Sequence, residues 1–136
     1  MRLPASARYS LYGLTALLLG SGVVWLAVHY FTVESGDSRA SEAISMRVHG
    51  AAAMALSVVV GIAMALHVTR AWRENKNRTS GLVLGGALIV LVFTGYLLYY
   101  AGGEAARAAA SLAHWILGLA LPLLIAAHVS LGKATD

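Results

Sequence analysis

Four apolar runs of about twenty residues, joined by short polar connections, dominate this 136-residue chain. Wound as an α-helix at about 1.5 Å per residue, such a run matches the roughly 30 Å hydrocarbon thickness of a bilayer. The runs predict spans at about residues 10–31, 43–71, 80–101 and 107–131. A helix satisfies its own backbone polar groups in lipid, so a chain made of such runs is expected to be all-α. Only 12% of the residues are charged, about half the share of a soluble domain, which puts the apolar residues in spans and not in a globular core. The expectation is one transmembrane domain over residues 1–136, an integral membrane four-helix bundle running up-down-up-down.

The first run, Leu11 to Phe31, follows a basic start as in a signal peptide, but it exceeds the usual apolar length of roughly 7–15 residues. No small-x-small cleavage site follows it, so it is read as a retained span. Trp25, Tyr30 and Phe31 near its end, and Tyr96, Tyr99 and Tyr100 at the end of the third run, suit interfacial aromatic belts. Thr32 to Ser45 reads as a loop rich in Gly and Ser. Arg2, Arg8, Arg70, Arg73, Lys76, Arg78 and Lys133 lie on one side of the spans, and Arg39, Arg47 and Arg107 on the other. Seven against three puts both termini in the cytoplasm. The net charge of +4 then belongs to membrane loops and not to nucleic-acid binding. The chain has no cysteine, which excludes disulfides, thiolate metal sites, iron–sulfur clusters and covalent haem attachment.

Histidines carry the candidate chemistry. His114 and His128 are fourteen residues apart in the fourth span, about 21 Å of helix rise, and project within about 40° of each other. His49 and His67 are eighteen apart in the second, five whole turns of an uninterrupted α-helix. In the expected topology His49 and His114 lie towards the outer face, His67 and His128 towards the inner. Polar groups inside a span are costly and usually face a partner or a cavity. Two imidazoles complete the axial positions of a haem iron, so the quartet can hold two non-covalent b-type haems, one above the other. Each ring's other nitrogen is expected to donate to a backbone carbonyl or a small side chain, which fixes its orientation.

The second pair spans about 6 Å more than the first, a difference to be absorbed by tilt, ring reach or a kink at Pro122; otherwise His29, at the end of the first span, replaces His49 as outer ligand. His29 also reads simply as an interfacial residue. Arg47 or Arg107 outside and Arg70 inside can pair with haem propionates, although such arginines commonly meet lipid headgroups. Met46, Met54 and Met64 read as core fillers. Gly50, Ala52, Ala53, Ala63, Gly118, Ala126 and Ala127 leave room beside the histidines for a flat macrocycle, and the glycines of the first and third spans suit close helix packing.

The paired histidines, and in particular the run TGYLLYYAGGEAARAAASLAHWILGLALPLLIAAHVSLG, resemble the bacterial di-haem cytochrome b superfamily, which includes cytochrome b subunits of formate dehydrogenase and nickel–iron hydrogenase. The resemblance covers about Met46 to Gly132, and the fourteen-residue spacing of His114 and His128 carries it. That family often draws a partner ligand from its first helix, whereas here both partners fall on the second. The resemblance implies electron transfer across a bacterial cytoplasmic membrane, between the quinone pool and a periplasmic cytochrome c or redox enzyme subunit.

Two other functions stay open. One is a stand-alone oxidoreductase passing electrons from a small periplasmic reductant such as superoxide to quinone; the mixed charges of the outer loops, Glu34, Asp37, Glu42 and Glu104 against three arginines, offer no funnel for an anion. The other is a transporter whose histidines bind a transition metal or relay protons. A quinone site needs a polar contact near one interface: Tyr96, Tyr99, Tyr100, Ser111 and His29 outside, Trp72 and Ser130 inside.

Overall fold

A computed structural model describes residues 3–134. Arg2, counted above among the basic residues, lies outside them. Four helices are long and apolar enough to cross a membrane: α1 (Ala5–Phe31), α2 (Gly36–Arg73), α3 (Arg78–Tyr100) and α4 (Glu104–Ala134). All four outrun the expected spans, and between α1 and α2 it is capping side chains, not the apolar stretches, that set the ends.

The connection between α1 and α2 shows this. The Thr32 hydroxyl and N–H both return to the Val28 carbonyl, at 2.6 and 3.3 Å, and close α1. Three residues on, Ser35 and Ser38 form a capping box: each hydroxyl oxygen accepts the other residue's backbone N–H, at 3.1 and 2.8 Å. Asp37 occupies the first turn, where a negative charge meets the positive end of the helix dipole. The loop expected over Thr32–Ser45 is thus four residues, 32–35, and Glu42 and Ser45 are helical. The α2–α3 connection is equally short. Asn75 and Asn77 have φ of 57° and 49°, the left-handed region that asparagine tolerates.

By its contacts the chain divides into two compact units where the sequence suggested one domain: the first ends at Thr69 and the second begins at Arg70. Each is an antiparallel helical hairpin. In the first, Ser21 meets His49 and His29 meets Glu42. In the second, Ser80 meets His128, Gly118 lies against Leu91, and Thr94 meets His114. Within each hairpin one index falls as the other rises.

The packing is that of a chain dissolved in lipid. Buried positions are small or hydroxyl-bearing: Ala52, Ala87, Ala110, Thr15, Ser21, Ser45 and Thr94, with Leu56 and Leu121. Large apolar residues such as Ile89, Leu123, Phe93 and Met54 face outward. Hydrophobic burial does not drive helices together in a bilayer, whereas small residues allow close approach and hydroxyls bond across the interface. Met54 and Met64, expected as core fillers, are both exposed.

One stretch of α2 is not α-helical. Met64–Val68 forms a π-turn, in which the Thr69 N–H reaches back five residues to the Met64 carbonyl. His67 lies inside this turn, so the count of five whole turns from His49 does not hold through it. In α4, Pro122 sits within the helix and cannot donate to the Gly118 carbonyl four residues earlier.

Candidate histidine sites

Three of the four span histidines are held in the same way. His49 Nδ1 lies 3.0 Å from Ser21 Oγ, His114 Nδ1 lies 2.9 Å from Thr94 Oγ1, and His128 Nδ1 lies 2.9 Å from Ser80 Oγ. Each hydroxyl belongs to the neighbouring helix of the same hairpin. In every case the next residue is a glycine that lies against the ring, at a distance where an added Cβ would make ordinary contact. A Cβ on Gly22 would meet His49 Cε1 at 3.5 Å, one on Gly95 would meet His114 Cε1 at 3.4 Å, and one on Gly81 would meet His128 Cε1 at 3.7 Å.

The direction of these hydrogen bonds follows from counting protons. A hydroxyl has one proton to give. Ser21 gives its proton to its own helix, 2.8 Å from the Leu17 carbonyl and 3.1 Å from that of Leu18. Thr94 gives its proton to the Val90 carbonyl at 2.7 Å, with Leu91 at 3.2 Å. Ser80 gives its proton to Asn77 Oδ1. Each oxygen is left as an acceptor, so Nδ1 of each histidine is the protonated nitrogen. The tautomer assigned in this way carries its lone pair on Nε2, the form in which imidazole binds a metal.

Asn77 adds a second hold on His128. Its left-handed conformation at the start of α3 turns its amide towards α4, where Nδ2 donates to the His128 carbonyl at 2.9 Å. The same nitrogen is 3.4 Å from His128 Nδ1, a longer approach than that of the Ser80 oxygen at 2.9 Å. A Cβ on Gly132 would come within 3.2 Å of Asn77 Nδ2, so the amide would have to give by a few tenths of an ångström.

His29 keeps different company. Its Nδ1 faces the Glu42 carboxylate at 3.3 Å, its ring stacks on Trp25 with centroids 4.5 Å apart, and Tyr30 meets its edge. It lines a pocket of about 290 Å³ at the α1–α2 turn, where Arg39 and Glu34 form an ion pair. Arg47 and Arg107 are exposed, and Arg70 pairs with Glu74 at 3.2 Å. Among the described residues no cluster of three or more His, Asp or Glu suits a metal ion. A site using one imidazole per helix would not form such a cluster.

The sequence drew attention to small residues on the histidines' own helices. The structure puts the ring-facing glycines on the adjacent helices, whereas Gly50 and Gly61 have no heavy atom within 4 Å of a would-be Cβ. The partners missed from sequence are Ser21, Thr94, Ser80 and Asn77. Their signal is a Ser-Gly or Thr-Gly dipeptide inside an apolar span, three times over. The chain matches no protein-family model, no curated protein and no solved structure.

Proposed function

We propose that this chain is a di-haem b-type cytochrome of a bacterial cytoplasmic membrane, carrying electrons between quinone and a redox partner on the outer side. The observation that supports it most is the hydroxyl-to-Nδ1 bond made three times, which presets three span imidazoles in the metal-binding tautomer. Such support from a second residue is typical of histidines that ligate metals.

In this reading His49 and His114 hold the outer haem, and His67 and His128 the inner one. Both termini face the cytoplasm. Bound haem supplies a one-electron couple. The protein's part is to hold Nε2 in place on each side, to withhold any open coordination position, and to keep water away with its apolar spans. Arg47, Arg107 and Arg70 are the cations available to haem propionates. His29, whose Nδ1 meets the Glu42 carboxylate, stays the alternative outer ligand.

The test is the haem content of the purified protein together with its histidine variants. Two haems per chain are expected, one of them lost in His67→Ala or His128→Ala with the other retained. Protein prepared from haem-replete cells with no haem, or with tightly held zinc in its place, overturns the proposal.

A further inference from the structure

The two ends of the second hairpin differ in charge. At the turn between α3 and α4 stand one acid and one base, Glu104 and Arg107, beside Tyr99 and Tyr100. At the open end, where α3 begins and α4 finishes, Arg70, Arg73, Lys76, Arg78 and Lys133 stand against Glu74 alone among the described residues. All of them belong to the unit that begins at Arg70. We infer that this end binds a phospholipid of net negative charge, with its phosphate on Arg78 and its acyl chains along α3. The inference does not need the cytochrome reading.

The fold gathers these charges. Asn77 Nδ2 donates to the His128 carbonyl at 2.9 Å and lies against Gly132, so the approach to α3 touches the last turn of α4, which carries Lys133. The Lys76 N–H returns to the Ala71 carbonyl at 3.1 Å and turns the basic segment back on itself. Arg78 is held in place there. Its guanidinium lies 4.9 Å from the centroid of the Trp72 ring, its Nε donates to the Trp72 carbonyl at 3.1 Å, and its Nη2 donates to the same oxygen. These bonds use two of its five N–H donors and leave the others for phosphate oxygens. A guanidinium already fixed loses little freedom on binding. Arg70, by contrast, is paired with Glu74 at 3.2 Å.

The occupant follows from the surroundings. Trp72 is 46% exposed at the end of a span, the level at which aromatic rings meet lipid headgroups. Leu82 and Val83, one turn into α3, are 59% and 55% exposed and offer acyl chains an apolar surface. A zwitterionic lipid carries its own ammonium beside the phosphate, whereas an anionic one leaves a full charge for Arg78, Arg73 and Lys133 to meet. Basic residues at span ends also set topology, which depends on their number. A site depends on where Arg78 is held, so variants that keep every charge separate the two roles.

Native mass spectrometry of the full-length protein in detergent, with whatever cofactor it carries, counts the lipids on each chain. The probes are a phosphatidylglycerol and a phosphatidylcholine with the same acyl chains. One phosphatidylglycerol is expected to bind about tenfold more tightly than the phosphatidylcholine. Trp72→Leu and Arg78→Lys keep every charge and should lose most of that preference, while Arg39→Gln, in the first hairpin, should retain it. Circular dichroism checks that each variant is folded. If the Arg78 variant does not fold, Arg73→Gln combined with Lys133→Gln, both exposed, should show the same loss. Equal affinity for the two lipids overturns the inference. So does an unchanged preference in the folded variants, or an equal loss in Arg39→Gln, which would reduce the effect to net charge. A haem-free chain that still prefers phosphatidylglycerol defeats the cytochrome reading and leaves this inference standing.

Discussion

Thr94 is the clearest single position at which hydroxyl support can be tested. Valine nearly matches threonine in shape but cannot accept the His114 N–H. Thr94→Val removes that acceptor from the His114 ring and is expected to weaken haem binding by roughly tenfold or more. Haem titration of the stripped protein measures the change, and unaltered affinity means that the hydroxyl only fills space. Thr15 makes the opposite case. Its hydroxyl is buried with no hydrogen-bond partner, although Thr94 in a comparable span returns its own to a carbonyl one turn back. Thr15→Val removes an unsatisfied group at almost constant volume and should raise thermal stability in detergent by about 1 kcal/mol. A fall in stability would mean that the oxygen bonds to something in the loaded protein. The histidines were legible in the sequence because a polar residue in an apolar run stands out. Ser21, Ser80 and Thr94 were not, because hydroxyl residues are common in spans and which ring each one meets depends on the register between two helices.

At the scale of the helix, apolar length made the four spans legible and left their ends uncertain. Partition into lipid depends on composition over some twenty residues, whereas the ends depend on single side chains such as Ser35 and Ser38. The π-turn at Met64–Val68 was invisible for a different reason: it changes the hydrogen-bond ladder without a proline or glycine inside it to mark the place. It has a measurable consequence. Deleting Ala65 should let the ladder close as a regular α-helix, which re-aims the residues inside the turn while the flanking turns keep their register. His67 would then leave its present direction, and the inner haem is expected to be lost while the outer one stays. Retention of both haems in the deletion variant would show that the turn is incidental to the histidine it contains.

For the molecule as a whole, the exposed large side chains and the buried small and hydroxyl ones agree with a multi-pass membrane protein. This much of the sequence reading the structure bears directly. The hairpin was only half legible. Short connections implied adjacent antiparallel helices, but the pairing of each dipeptide with its histidine needed the true turn lengths, and the loop was read as fourteen residues where it is four.

The four-residue link of Glu74 to Asn77 leaves every one of the three hydroxyl-supported rings together with its supporter on one side of a cut. The gene is therefore divisible. Fragments 1–75 and 76–136, made separately, should each insert in detergent or lipid and keep their own internal pairings, read as slow amide exchange around Ser21 and Thr94. Rapid exchange in either piece would mean that a hairpin needs the rest of the chain to hold its hydroxyl-to-ring bonds.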